Sequence, residues 1–80
     1  MRLDLHGYTV HNAWERFNAF IVDAYYNGHR EVTVITGQGA ISKELPEWAR
    51  IHKYIHIWSI KPGNPGCFRI NLRKKVDHSV

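Results

Sequence analysis

A single cysteine, Cys67, among 80 residues rules out an intrachain disulfide and any zinc site built on several thiolates. This suits a reducing cytosol, the compartment expected, with Cys67 read as a small strand residue. Nowhere does an apolar run approach the ~20 residues of a membrane-spanning helix, and Met1-Arg2 leads into a strand rather than a signal-peptide core. No membrane association is expected. Acidic residues are scarce, 7 Asp and Glu against 11 Lys and Arg, so the net charge of +4 favours anionic partners such as nucleic acid. Repeats and low-complexity stretches are lacking too, which excludes solenoids and linkers. The length leaves no room for a second domain. Residues 1–75 are read as one domain and 76–80 as a mobile tail without a packing pattern. A monomer is the expected state.

What the chain does hold is 44% hydrophobic and 12% aromatic residues, ample for a core in which one layer of helices covers one sheet. Leu3 and Leu5 alternate with Asp4 and His6, as in a half-buried strand. From an N-cap at Thr9, Val10, Ala13, Trp14, Phe17, Ile21, Ala24 and Tyr25 recur at helical spacing, and Asn27-Gly28 supplies a stop, predicting a helix over 9–27. Residues 31–36 form a β-favouring run containing Val32, Val34 and Ile35. Leu45, Trp48, Ala49 and Ile51 indicate a second helix, whose start is expected near Leu45 or Pro46 because proline sits badly inside a helix. Further strands are predicted at 55–60 and 68–72, joined by a loop through Pro62-Gly63-Asn64-Pro65-Gly66. The fold class is therefore α/β, βαβαββ, with a four-stranded mixed sheet and two helices. A crossover through the first helix makes the first two strands parallel, with their carboxyl ends on one edge.

That edge gathers the candidate chemistry. Asp4 and His6 share one face of the first strand, where the imidazole can trade a proton at neutral pH and Asp4 can fix its tautomer or bind a metal. The alternative is structural, Asp4 capping the next turn and His6 bonding to backbone. Thr36-Gly37-Gln38-Gly39 stands next to them, where glycines let backbone N–H groups approach a phosphate or simply turn the chain. Lys43, Lys61, Asn64, Arg69 and Arg73, with Lys74 and Lys75, could guide a charged strand or be a solvated edge. Tyr8 is the stacking candidate, and His11 is placed within reach of Asp4 and His6. His29, His52, His56 and His78 lack ligand spacing and are read as structural or solvent-facing. Trp14 and Trp48 sit at core spacing.

With Leu3-Asp4-Leu5-His6-Gly7 before a long helix and Thr36-Gly37-Gln38-Gly39 after a Val/Ile strand, residues 2 to 75 resemble the Smr (small MutS-related) domain family. The resemblance implies a two-layer α/β sandwich related to the C-terminal domain of the bacterial third translation initiation factor. It also implies nicking endonuclease activity on DNA or RNA, with catalytic or substrate-contacting roles for Asp4 and His6. In the family the second motif is commonly His-Gly-x-Gly. Thr36 replaces that histidine here, a form found in RNA-acting plant members. Near the end, where members often carry a Gly-Gly-x-Gly-like turn, this chain reads Asn64-Pro65-Gly66-Cys67-Phe68. The expected function is a stand-alone endonuclease, with Mg²⁺ or Mn²⁺ as possible cofactors, Asp4 the possible ligand and no structural metal. The other reading is a noncatalytic nucleic-acid or ribosome-binding module.

Overall fold

Thr9 opens the first helix as its residue type predicts, its Oγ1 accepting the Asn12 backbone N–H at 3.2 Å. Helix α1 then runs Val10–Tyr26, with Ala13, Phe17, Ile21 and Ala24 forming its buried stripe, and Gly28 at φ 82° follows the C-cap Asn27. A computed structural model describes residues 1–74, so the expectation for 76–80 lies outside the described residues. Around α1 the order is β1 (Arg2–Asp4), α1, β2 (Glu31–Ile35), α2 (Ala40–Ile51), β3 (Ile55–Lys61) and β4 (Asn64–Leu72). The sheet order is β1-β2-β4-β3, with β1 parallel to β2 and β4 antiparallel to both of its neighbours. This is the mixed four-stranded α/β sheet read from the sequence.

Alternation decides which face meets the helices. Val32 and Val34 of β2 and Phe68, Ile70 and Leu72 of β4 are buried in one core with Phe17, Ile21, Leu45 and Trp48. Glu31, Thr33, Arg69 and Asn71 take the other, uncovered face. Trp14 and Trp48 meet edge to face at 5.5 Å, closing α1 on α2 as their spacing predicts. No helix among the described residues is long and apolar enough to cross a membrane.

Three boundaries differ from the sequence reading by more than one residue. Helix α2 begins at Ala40, not near Leu45 or Pro46, and keeps Pro46 inside it. Ser42 Oγ accepts the Gly39 N–H at 3.2 Å and donates to the Gly39 carbonyl at 2.7 Å, which starts the helix early. Those extra turns bury Ile41 and Leu45, at roughly 1.5–3 kcal/mol each, which offsets the ~3 kcal/mol that an interior proline costs. Next, the loop between the last strands shrinks to the two residues Pro62-Gly63. Lys61 pairs with Asn64, and Gly63 has φ 75°, the proline-then-glycine pattern of a type II turn. Finally, β1 ends at Asp4, so His6 lies in the turn beyond the strand rather than on its face.

Candidate functional site

The carboxyl ends of β1 and β2, the N-termini of both helices and the start of β4 meet at one edge of the sheet. Asp4 Oδ1 accepts the backbone N–H of His6 at 2.9 Å, and the Tyr8 N–H reaches the Leu5 carbonyl at 3.2 Å. Leu5 is fully buried, so this turn is anchored in the core while His6 is exposed. Asp4 therefore sets the main chain of His6, with no bond to its ring. The imidazole lies over the glycine loop, and a Cβ placed on Gly37 would come within 3.2 Å of His6 Cδ2. Gly37 also has φ 70°, a conformation glycine adopts at no steric cost.

A bulge completes the floor. Ile60 and Lys61, consecutive on β3, pair with Phe68 and Asn64, leaving Pro65, Gly66 and Cys67 unmatched on that side. The Gly66 carbonyl accepts the Thr36 N–H at 2.8 Å and the Gly37 N–H at 3.2 Å. Thr36 Oγ1 lies 2.8 Å from the Gly37 carbonyl and 3.3 Å from that of Gly66. A Cβ on Gly66 would fall 2.8 Å from Gly37 Cα, so the two glycine backbones touch. Gly66 is a site residue that sequence reasoning missed. Its signal was a second glycine in a loop where proline drew the attention.

These bonds revise how the glycine loop could meet an anion. The Gly37 N–H is spent on Gly66 and the Gly39 N–H on Ser42, while the amides of Ala40 and Ile41 open α2, where a helix cannot satisfy them internally. Above them lies a cleft of about 410 Å³ lined by His6, Tyr8, Thr36, Gln38 and Gly39 together with Gly7, Thr9, Val10, Ala40 and Ile41.

Other candidates lie elsewhere. Asp4 is exposed beside the cleft without lining it. His11 turns away from Asp4 and His6, pairing with Glu15 at 3.0 Å and bordering a groove with Val10, Trp14, Trp48 and Ile51. It stands in the first turn of α1, on the side that borders Trp14 and Trp48 rather than the strand ends. Arg69 is on the uncovered sheet face, paired with Glu31 at 3.3 Å. Arg73 sits at the opposite end of the sheet, where its N–H bonds to Tyr54, because β4 runs antiparallel to β2. Lys43 on α2, and Lys61 and Asn64 at the last hairpin, flank the cleft end of the molecule and do not line the cleft. His52 is buried, its Nδ1 accepting the Tyr54 N–H at 3.2 Å and its Nε2 2.9 Å from Asn18 Oδ1, the structural role expected of it. Burial, then the charge of Lys53, lowers its pKa below the usual 6.5.

Comparison with known proteins agrees with this architecture. The Smr domain of Thermus thermophilus MutS2 superposes with a TM-score of 0.85 at 23% identity, over 90% of this chain and 96% of that one. Endonuclease MutS2 of Streptococcus uberis is 33% identical over 67 residues, covering 81% of this chain. The match spans 9% of that relative's length. Residues 3–73 match the Smr domain family model, and the chain belongs to the Smr domain family.

Proposed function

We propose that this chain is an endonuclease that nicks phosphodiester bonds in DNA or RNA at the cleft beside His6. The observation that carries it is the imidazole held over Gly37, at the mouth of a cleft whose floor ends in the first amides of α2. A phosphate lying there meets positive helix-end dipoles on one side and a proton acceptor on the other. His6 takes the proton of the attacking water as its oxygen bonds to phosphorus. The old P–O bond breaks with its electron pair on the leaving oxygen, which takes a proton from solvent while the His6 imidazolium returns its own to solvent. A relative that carries this domain is named an endonuclease, which supports the same reading.

Asp4 holds the turn that aims His6 and offers a carboxylate at the rim. Among the described residues no three His, Cys, Asp or Glu side chains converge. A Mg²⁺ or Mn²⁺ ion would therefore take Asp4 together with water and substrate phosphate oxygens, a ligand set that magnesium accepts, and would neutralise charge developing on the phosphate. The test is cleavage of supercoiled plasmid, single-stranded DNA and single-stranded RNA, each with Mg²⁺, Mn²⁺ or EDTA. His6→Ala is expected to lose about 10²–10⁴-fold in rate, the usual contribution of a general base. Asp4→Asn keeps the turn, since an amide oxygen accepts the same N–H, and is expected to lose only metal-stimulated activity. A folded protein that cuts none of these substrates overturns the proposal. Salt-sensitive binding that survives His6→Ala, without cleavage, would mark a noncatalytic nucleic-acid module instead.

A further inference from the structure

Tyr8 lines both the cleft and a second hollow of about 450 Å³ beside α1, whose other lining residues are Asn12, Glu15, Arg16 and Ala19. The Arg16 guanidinium carbon stands 4.7 Å from the centroid of the Tyr8 ring. No carboxylate pairs with Arg16 among the described residues. Glu15, the one acid lining the hollow, is held by His11 Nε2 at 3.0 Å. A guanidinium over an aromatic face is restrained without using its hydrogen-bond donors, so its N–H groups remain available for an oxyanion. The hollow thus offers an unpaired, pre-ordered cation and an Asn12 amide directly alongside the cleft.

We infer that this hollow binds the phosphate next to the one at His6 on the same nucleic-acid strand. Arg16 is its ligand and Tyr8 the residue that positions Arg16. Identifying the strand rests on the cleavage reading above. The site itself rests on the Tyr8–Arg16 geometry. Sequence spacing marks Tyr8 as a stacking candidate but does not distinguish Arg16, which falls on the polar face of an amphipathic helix, where charges are ordinarily just solvated.

The experiment is fluorescence anisotropy of the full chain with short labelled single-stranded DNA and RNA oligonucleotides across a salt series. Arg16→Gln is expected to weaken binding several-fold and to lower the slope of log affinity against log salt by about 0.7, the loss of one phosphate contact to a single strand. Arg16→Lys should restore the slope but not the full affinity. Tyr8→Leu should lower affinity at nearly unchanged slope, and Tyr8→Phe, which keeps the ring, should bind more tightly than Tyr8→Leu. In cleavage, Arg16→Gln should raise KM more than it lowers kcat. Unaltered affinity and slope in Arg16→Gln overturn the inference. Failure of the unaltered protein to bind either oligonucleotide does so as well. Arg16-dependent binding without cleavage leaves the inference standing and removes the nuclease reading. His6-dependent cleavage with Arg16→Gln unchanged removes the inference alone.

Discussion

Two glycines carry much of the site, for different reasons. Gly66 has no room for a side chain, since a Cβ there would lie 2.8 Å from the Gly37 main chain, which cannot swing aside as a flexible side chain could. Gly66→Ala should therefore part β4 from the glycine loop and cost about 1–3 kcal/mol, the usual range for overpacking, measured as a lowered urea midpoint at unchanged m. Gly37→Ala meets the edge of an exposed imidazole at 3.2 Å and adds left-handed backbone strain at φ 70°. The strain costs roughly 1–2 kcal/mol. It should displace His6, so cleavage is expected to fall further than this stability loss explains. Equal stability of Gly66→Ala and the unaltered protein would show that the contact between the two glycines is not rigid.

At the level of whole elements, α2 tolerates its proline because the helix has a strong start and a buried stripe. Ser42 closes the first turn on Gly39, and Ile41, Leu45, Trp48 and Ala49 are buried. Pro46 still removes the N–H that would bond the Ser42 carbonyl and crowds that turn. Pro46→Ala is expected to stabilise the protein by about 1–3 kcal/mol, bounded by the proline penalty of ~3 kcal/mol and reduced by the packing its ring provides. A lowered thermal midpoint for Pro46→Ala would mean that the ring's contacts outweigh the missing hydrogen bond. The short β1 makes a complementary point, because ending at Asp4 frees the next residues to form the turn that presents His6.

Across the whole molecule, the two ends of the sheet serve different purposes. One end holds the cleft, while the other joins α1 to the connection between α2 and β3 through Asn18, His52 and Tyr54, with Tyr25 stacked on Tyr54 at 3.9 Å. His52 is neutral there, accepting at Nδ1 and so donating from Nε2 to Asn18. Its folded pKa is depressed, first by burial and then by Lys53, so the unfolded chain binds its proton more readily. Its stabilising contribution is therefore complete above the ordinary imidazole value of 6.5 and is lost as pH falls below it. Thermal midpoints measured from about pH 7.5 down to 5.5 should decline. In His52→Gln the decline should be shallower, and an identical pH slope would assign the effect to other groups. This region is remote from His6, so the stability loss should not track the pH profile of cleavage.

Much of the fold was legible in local pattern. Thr9, the stripe through Phe17 and Ile21, and the alternation of Phe68, Ile70 and Leu72 depend on neighbours a few residues away, and such signals survive in a linear string. The parallel pairing of β1 with β2, and hence the nearness of His6 to Thr36-Gly37-Gln38-Gly39, followed from connection rules. Pro46 misled because its penalty is local while the burial that outweighs it belongs to the assembled core. Asp4's bond to the His6 main chain, the departure of His11 and Arg73 from the site, the seam between Gly37 and Gly66 and the guanidinium over Tyr8 were settled in the folded molecule alone. Residue types and periodicity specify what each segment becomes and which face it buries. The distance between groups brought together from different segments depends on packing, bulges and register, and the chemistry of this site is a matter of those distances.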